Sequence, residues 1–211
     1  MQVANASSQA WKNYEFLPSF VLGFHGCDAT ISEAVLRGEI NHLAASENDY
    51  DWLGGGIYFW EGNPSRALQF AAERALGGHN SKGAVQIPFV LGAIINMRRC
   101  LNLADSGAIR QVENAYRTLE RMSEMSEISG DMLPENGKDF KARRLDCLVI
   151  NSLHRLRAKE NSMPYDTVRG LFWEGEELYP GAGLREANHI QICVRSADCI
   201  LGYFRPTVPT S

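Results

Sequence analysis

The chain has 211 residues, 45% of them hydrophobic, which suits one core-forming domain, or one domain with an insertion, and excludes a disordered or fibrous protein. Its 21 Lys and Arg against 25 Asp and Glu give a net charge of −4, so there is no general attraction to nucleic acid or anionic lipid. Cys27, Cys100, Cys147, Cys193 and Cys199 form no Cys-x-x-Cys pair and the five histidines complete no zinc pattern, so the expectation is buried, reduced thiols in a cytoplasmic protein that needs no metal.

Met1 to Phe16 is a polar lead-in without the apolar stretch of a signal peptide, and the longest apolar run, Ile87 to Ile95, is too short to span a bilayer. A soluble protein with no membrane contact is expected. Phe20 to Gly26 reads as a strand ending in a turn. Thr30 followed by Glu33 reads as a capping box that opens a short helix, stopped by Gly38. Gly54-Gly55-Gly56 leads into a strand over Ile57 to Trp60. Asn63 then caps a helix with Pro64 at its first position, and Gly77-Gly78 ends it.

Ala84 to Ile95 reads as a buried strand. Ile109, Val112, Tyr116, Leu119 and Met122 recur at helical spacing. Gly130 to Gly137 reads as a loop, and Leu145 to Leu156 as a second helix, although Cys147 to Ile150 alone fits a strand. Strands return at Val168–Trp173, Ile190–Arg195 and Ile200–Phe204. The order of strands, a helical insert at about 104–160, then strands implies an α+β fold in a single domain over 1–211. The basic groups Arg98-Arg99 and Lys141 to Arg144 read as solvated faces.

Three segments carry candidate chemistry. Phe24-His25-Gly26-Cys27 puts an imidazole at a strand end beside a glycine, where a ligand can approach the backbone closely. Gly54 to Trp60 places glycines before a strand, which is the wrong order for a dinucleotide fingerprint. Tyr58 and Phe59 must face opposite sides of that strand, so only one can line a cleft, and Phe59 reads as core. In His189 to Arg195 the alternation sets Gln191, Cys193 and Arg195 on one face and Ile190, Ile192 and Val194 on the other. Trp173 to Glu177 and Pro180 to Gly183 form an acidic, glycine-containing loop just upstream.

Taken together, these segments resemble the ADP-ribosyltransferase superfamily, in its diphtheria-toxin-like and poly(ADP-ribose) polymerase-like branch. His25-Gly26-Cys27 resembles the His-Gly-Ser motif. Gly54 to Ala71 resembles the second block, a Gly-x-Tyr-Phe strand and a helix opening here with Ser65, Arg66 and Ala67. Gln191 stands at the position of the family's catalytic Glu, a His-Tyr-Gln variant of the triad, and Cys27 stands where Ser is frequent.

The resemblance implies a split β-sheet core with a helical insertion. It implies NAD as co-substrate and mono-ADP-ribosyl transfer to a macromolecular acceptor, protein or nucleic acid. The absence of the Glu argues against polymer elongation. In that scheme His25, Tyr58 and Gln191 are catalytic, and His25, Gly26, Cys27, Tyr58, Phe59 and Ser65 bind NAD. His25 would take the adenosine ribose, Gly26 the nicotinamide amide and Tyr58 the nicotinamide ring. Glu174, Glu176, Glu177 and Glu186 are reserve carboxylates. Small bacterial members of such families are often intracellular toxins held in check by a partner protein, and this chain's size fits that role. The alternatives are a module that binds NAD or ADP-ribose without chemistry, and an NAD glycohydrolase.

Overall fold

The computed structural model describes residues 20–77, 85–125, 133–137 and 142–207. A seven-stranded sheet runs through it in the order β4-β5-β6-β2-β1-β3-β7. The strands are β1 (Phe20–Asp28), β2 (Ile57–Glu61), β3 (Pro88–Asn96), β4 (Cys100–Asn102), β5 (Thr167–Phe172), β6 (His189–Val194) and β7 (Ile200–Phe204). Only β4 and β5 pair in parallel; the other neighbours are antiparallel. Among the described residues four α-helices complete the mixed α+β fold: α1 (Ala29–Leu36), α2 (Pro64–Ala75), α3 (Ser106–Met125) and α4 (Arg144–Lys159).

Both faces of the sheet are buried because alternate residues of the central strands are apolar on each side. On one face Ile57 and Phe59 of β2, Ile192 and Val194 of β6 and Leu91, Ala93 and Ile95 of β3 pack with Val35 of α1. On the other, Val168, Phe172 and Cys193 pack with Val149, Ile150 and Leu153 of α4 and Ala108 and Ala115 of α3. Phe24 and Trp60 continue that second face beneath Ala67 of α2. Hence α2, α3 and α4 cover one side of the sheet, and α1 the other.

Several local expectations change. The cap of α1 is Asp28, not Thr30: its carboxylate accepts from the Thr30 amide at 2.9 Å, from the Thr30 hydroxyl, and from the Gln86 and Ile87 amides at 2.7 and 2.9 Å. An acceptor that can satisfy four donors displaces the weaker hydroxyl cap. The Asn63 cap and Pro64 stand as read, Asn63 accepting from the Arg66 amide at 3.0 Å. Strand β3 starts at Pro88, and Ala84 lies outside the described residues. Of the loop expected over 130–137, only 133–137 is described, without regular structure.

The stripe on α3 is rotated. Ile109 and Met122 are exposed, while Ala108 and Ala115 are buried and Val112, Tyr116 and Leu119 pack partly against the core. Small alanines let the helix approach α4 closely. The segment 144–159 is helical, which removes the strand alternative. Strand β4, three residues long, is too short to be read from a pattern. No helix among the described residues is long and apolar enough to cross a membrane.

The four donors hold the Asp28 carboxyl far below the usual carboxylate range, the Ile87 amide contributing most. Its folded-state pKa is depressed, so its contribution is complete above the unfolded carboxylate value and is lost as pH falls below it. Acid unfolding followed by circular dichroism should therefore show a shallower loss of stability in Asp28→Ala than in wild type, from a lower starting stability at neutral pH.

Candidate functional site

Strands β1 and β2 are neighbours along only a short stretch. Gly23 pairs with Glu61 and Phe24 with Trp60, whereas β1 pairs with β3 over all nine residues. Beyond Phe24 a side chain takes over from the ladder: His25 Nδ1 lies 2.7 Å from the Tyr58 carbonyl oxygen. A carbonyl can only accept, so Nδ1 carries the proton. Burial holds the His25 pKa below its ordinary value and the Arg74 charge acts in the same direction; the Tyr58 bond opposes both. The ring is neutral at physiological pH, and Nε2 is left with a lone pair and no partner among the described residues.

Tyr58 is engaged at its other end as well. Its hydroxyl donates to the Gly54 carbonyl at 2.7 Å and accepts from the Leu53 amide at 2.8 Å. Both groups belong to the turn that delivers the chain into β2. The same turn is held from behind by Arg195 Nη1, which donates to the Gly55 carbonyl at 2.9 Å, and by Asn151 Oδ1, which accepts from the Gly55 amide at 3.2 Å. Gly54 needs its glycine for a φ of 79°. At Gly56 a Cβ would sit 2.5 Å from Cys193 Sγ and 2.7 Å from the Val194 oxygen. The three glycines thus shape a tight entry into β2 instead of a phosphate cradle.

Register sets which side each candidate faces. Gln191 lies between Trp60 of β2 and Gly170 of β5, and Cys193 lies between Tyr58 and Val168. Tyr58, Trp60 and Gln191 therefore share the face under α2 and α4. His25 lies on the opposite face with Phe59, whose ring centroid is 5.9 Å from its own, and meets Tyr58 only through the backbone at the strand junction. Gln191 is half-buried, and its amide makes no hydrogen bond to a described residue.

Beside Gln191 is a polar cluster that no sequence spacing announces. His189, two residues away on the same face, donates Nδ1–H to the Ala187 carbonyl at 2.7 Å. Its ring is enclosed by Phe172, Trp52 and Trp60 at centroid distances of 5.6, 6.2 and 6.3 Å. Burial keeps its pKa below the ordinary value. Arg66, 8% exposed, donates to Glu174 at 2.9 Å, and Glu174 lies 3.7 Å from His189. Trp60 Nε1, Arg66 Nε, Asn188 Oδ1 and His189 Nε2 are all buried without a hydrogen-bond partner among the described residues. Buried polar atoms in such a state normally have a ligand, a water or a rearrangement to satisfy them.

The other expected contacts are dispersed. Phe59 is fully buried in the core, so it supports the site from below. Cys27 Sγ lies 3.1 Å from Ser32 Oγ, beneath α1. Gly26 lies directly against the Ala67 carbonyl of α2, where any Cβ would collide. Ser65 is exposed in the first turn of α2. Of the reserve carboxylates, Glu174 is committed to Arg66, Glu177 accepts from the Gly181 amide at 3.0 Å, and Glu176 and Glu186 are exposed. Arg143 is not a solvated charge: its guanidinium lies over Trp52 at 4.3 Å and Phe172 at 5.2 Å.

All five cysteines are free and buried, and burial pushes the Cys193 thiol up to about 12 and Cys100 up to about 11, which favours their thiol form. Among the described residues no group of three or more His, Cys, Asp or Glu side chains is placed to hold a metal ion. No protein-family model, curated protein or solved structure matches the chain.

The hydroxyl of Tyr58 has work that the sequence did not reveal. Tyr58→Phe leaves the Leu53 amide without a partner in a mostly buried place, and the Gly54 carbonyl with only the weak Cys193 thiol at 3.6 Å. That should cost about 1–3 kcal/mol. Urea unfolding should show the midpoint falling with an unchanged slope.

Proposed function

We propose that this protein binds NAD at the junction of β1 and β2 and transfers its ADP-ribose group to a macromolecular acceptor. The observation that carries the reading is the bond from His25 to the Tyr58 carbonyl. It joins the two sequence segments that resemble separate ADP-ribosyltransferase motifs, at the place where two central strands stop pairing. The third segment joins the second, since Gln191 sits one strand away on the face that Tyr58 shares, while His25 reaches the junction from the opposite face. The fold would then be the split-sheet ADP-ribosyltransferase core, with α3 and α4 as its insertion.

Each residue has a chemical role in this reading. Neutral His25 offers Nε2 as an acceptor for a ribose hydroxyl. The Tyr58 ring packs against the core on the α3–α4 side, its hydroxyl fixes the preceding turn, and the uncovered part of the ring is what nicotinamide would meet. In the reaction the bond between the ribose C1′ and the nicotinamide nitrogen breaks, and nicotinamide leaves with the bonding pair as a neutral molecule. Positive charge develops on the ribose, as in glycoside cleavage. A nucleophilic atom of the acceptor bonds to C1′ and releases its proton to solvent. Gln191 orients a ribose hydroxyl through its amide oxygen but brings no charge against the cation. An aligned electrostatic contact of that kind is worth on the order of a hundredfold in rate, so turnover is slow for the class.

The neutral amide at Gln191 also favours a second reading, a module that holds NAD or ADP-ribose without chemistry. Incubation with NAD labelled in the nicotinamide ring separates the two. Transfer predicts release of labelled nicotinamide and an ADP-ribose mass increment on protein or nucleic acid. Gln191→Ala should then lower turnover about tenfold, the loss of a neutral hydrogen bond, with little change in NAD affinity, the pattern of a contact that strengthens in the transition state. Gln191→Glu, nearly isosteric, should retain or raise the rate. NAD binding with no nicotinamide released by wild type, and activity gained in Gln191→Glu, would mark a binding module. Absence of NAD binding would refute both.

A further inference from the structure

Behind the glycine turn lies a cavity of about 500 Å³ that the proposed reaction does not use. It opens between the turn, His154 of α4, the segment that leads from α4 into β5, and the residues that follow β6, on the side of Tyr58 away from Gln191. Arg195, His154, Pro164, Tyr165 and Asp166 line it, with Gly55 and Gly56 supplying backbone. Its size is that of a small-molecule site.

Two features of the wall bear on a ligand: Arg195 has guanidinium donors to spare, and His154 is buried without a hydrogen-bond partner among the described residues. Arg195 spends Nη1 on the Gly55 carbonyl and on Asn151 Oδ1, at 2.9 and 3.2 Å. Among the described residues no carboxylate comes within ion-pair distance of it, and its remaining guanidinium nitrogens make no hydrogen bond. His154 is 8% exposed, and neither ring nitrogen has a hydrogen-bond partner among the described residues. Burial, reinforced by the charges of Arg195 and Arg157, holds the ring neutral with a pKa of about 3. A buried neutral imidazole offers one N–H and one lone pair, so an unpartnered His154 loses both bonds it could have made to water.

The charge around the cavity limits what can enter. Arg195 attracts an anion, and the open edge of a guanidinium matches the two oxygens of a carboxylate. Asp166 and Glu47, also on the wall, oppose every anion and a multiply charged phosphate or polyphosphate most, so the site takes a single negative charge seated on the Arg195 side. Pro164 and the Tyr165 ring supply apolar surface for the rest of the ligand. We infer that this cavity is a second ligand site, for a small monocarboxylate with an apolar body, held by Arg195 and His154. The inference stands apart from the NAD reading, because no residue of the NAD assignment lines the cavity. Through Gly55, however, Arg195 touches the same turn that the Tyr58 hydroxyl holds, so occupancy should be felt at both sites.

Benzoate is a suitable probe, with sodium chloride and inorganic phosphate at equal ionic strength as controls. Calorimetry and two-dimensional amide spectra of the full chain read the result. Saturable benzoate binding is expected, with shifts at Gly55, Gly56 and Ser196 and with chloride and phosphate inert. Removing Arg195 also loosens the turn, so the discriminating variant is His154→Leu, which fits an apolar wall and should raise the unfolding midpoint by deleting two unpartnered nitrogens. It should weaken benzoate binding about tenfold or more, the loss expected for a hydrogen bond to a charged partner. The inference is overturned by no saturable binding, by equal responses to benzoate and chloride, by stronger binding of phosphate, or by undiminished affinity in His154→Leu. None of these outcomes depends on whether the protein cleaves NAD.

Discussion

Tyr58 is tied at both ends, and the arrangement around the β1–β2 junction depends on it. Its carbonyl accepts from His25 and its hydroxyl bridges Leu53 and Gly54. One residue thus fixes the imidazole tautomer on one face of the sheet and the glycine turn on the other. Without the His25 bond, the strands would part after Phe24 with the Tyr58 carbonyl left to find another donor. Without the hydroxyl, a turn built on left-handed glycine backbone would lose its nearest side-chain anchor. Arg195 and Asn151 hold the same turn from the other direction, so the approach to β2 is determined from two sides.

That constraint explains why neighbouring residues tolerate so little space. Gly56 must pass against Cys193, and Gly26 must pass beneath Ala67. The core is built close to these crossings, with Phe59, Ile192 and Val194 filling one face and Cys193 and Val168 the other. A sheet covered on both sides leaves few ways for polar groups to meet solvent. The exceptions gather at the ends of the central strands: Trp60, Arg66, Asn188 and His189 at one end, His154 and Arg195 at the other. The unpartnered His154 nitrogens at one end of the β2–β6 pair are the reason for placing a second ligand there, whereas the NAD reading rests on the His25–Tyr58 bond.

Much of this was legible in the sequence. Alternation in Ile57 to Trp60 and His189 to Arg195 set Tyr58 and Gln191 apart from Phe59 and Ile192, and the register agrees. Asn63-Pro64 gave the start of α2 because a cap and a proline at the first helical position are purely local signals. Asp28 was missed for a reason of distance: its Gln86 and Ile87 donors arrive from nearly sixty residues away, and Thr30 offered a plausible local substitute. Strand β4 was too short to show a pattern. On α3 packing selects the small Ala108 and Ala115 over the larger Ile109 and Met122, which turns the buried face away from the expected stripe. The meeting of Arg66, Glu174 and His189 follows from the pairing of β6 with both β2 and β5, which single-sequence reading does not supply. The work of the Tyr58 hydroxyl was hidden likewise, since a tyrosine reads as a ring until its backbone partners are known.

The account rests most heavily on NAD lying where β1 leaves β2. Amide and side-chain spectra recorded during an NAD titration test that directly, because each assigned residue reports its own contact. The account predicts saturable shifts concentrated at His25, Gly26, Tyr58 and Gln191, with the His25 ring staying neutral and its Nε2 resonance moving as it accepts a hydrogen bond. Shifts confined to other surfaces, or spectra unchanged at millimolar NAD, would contradict it.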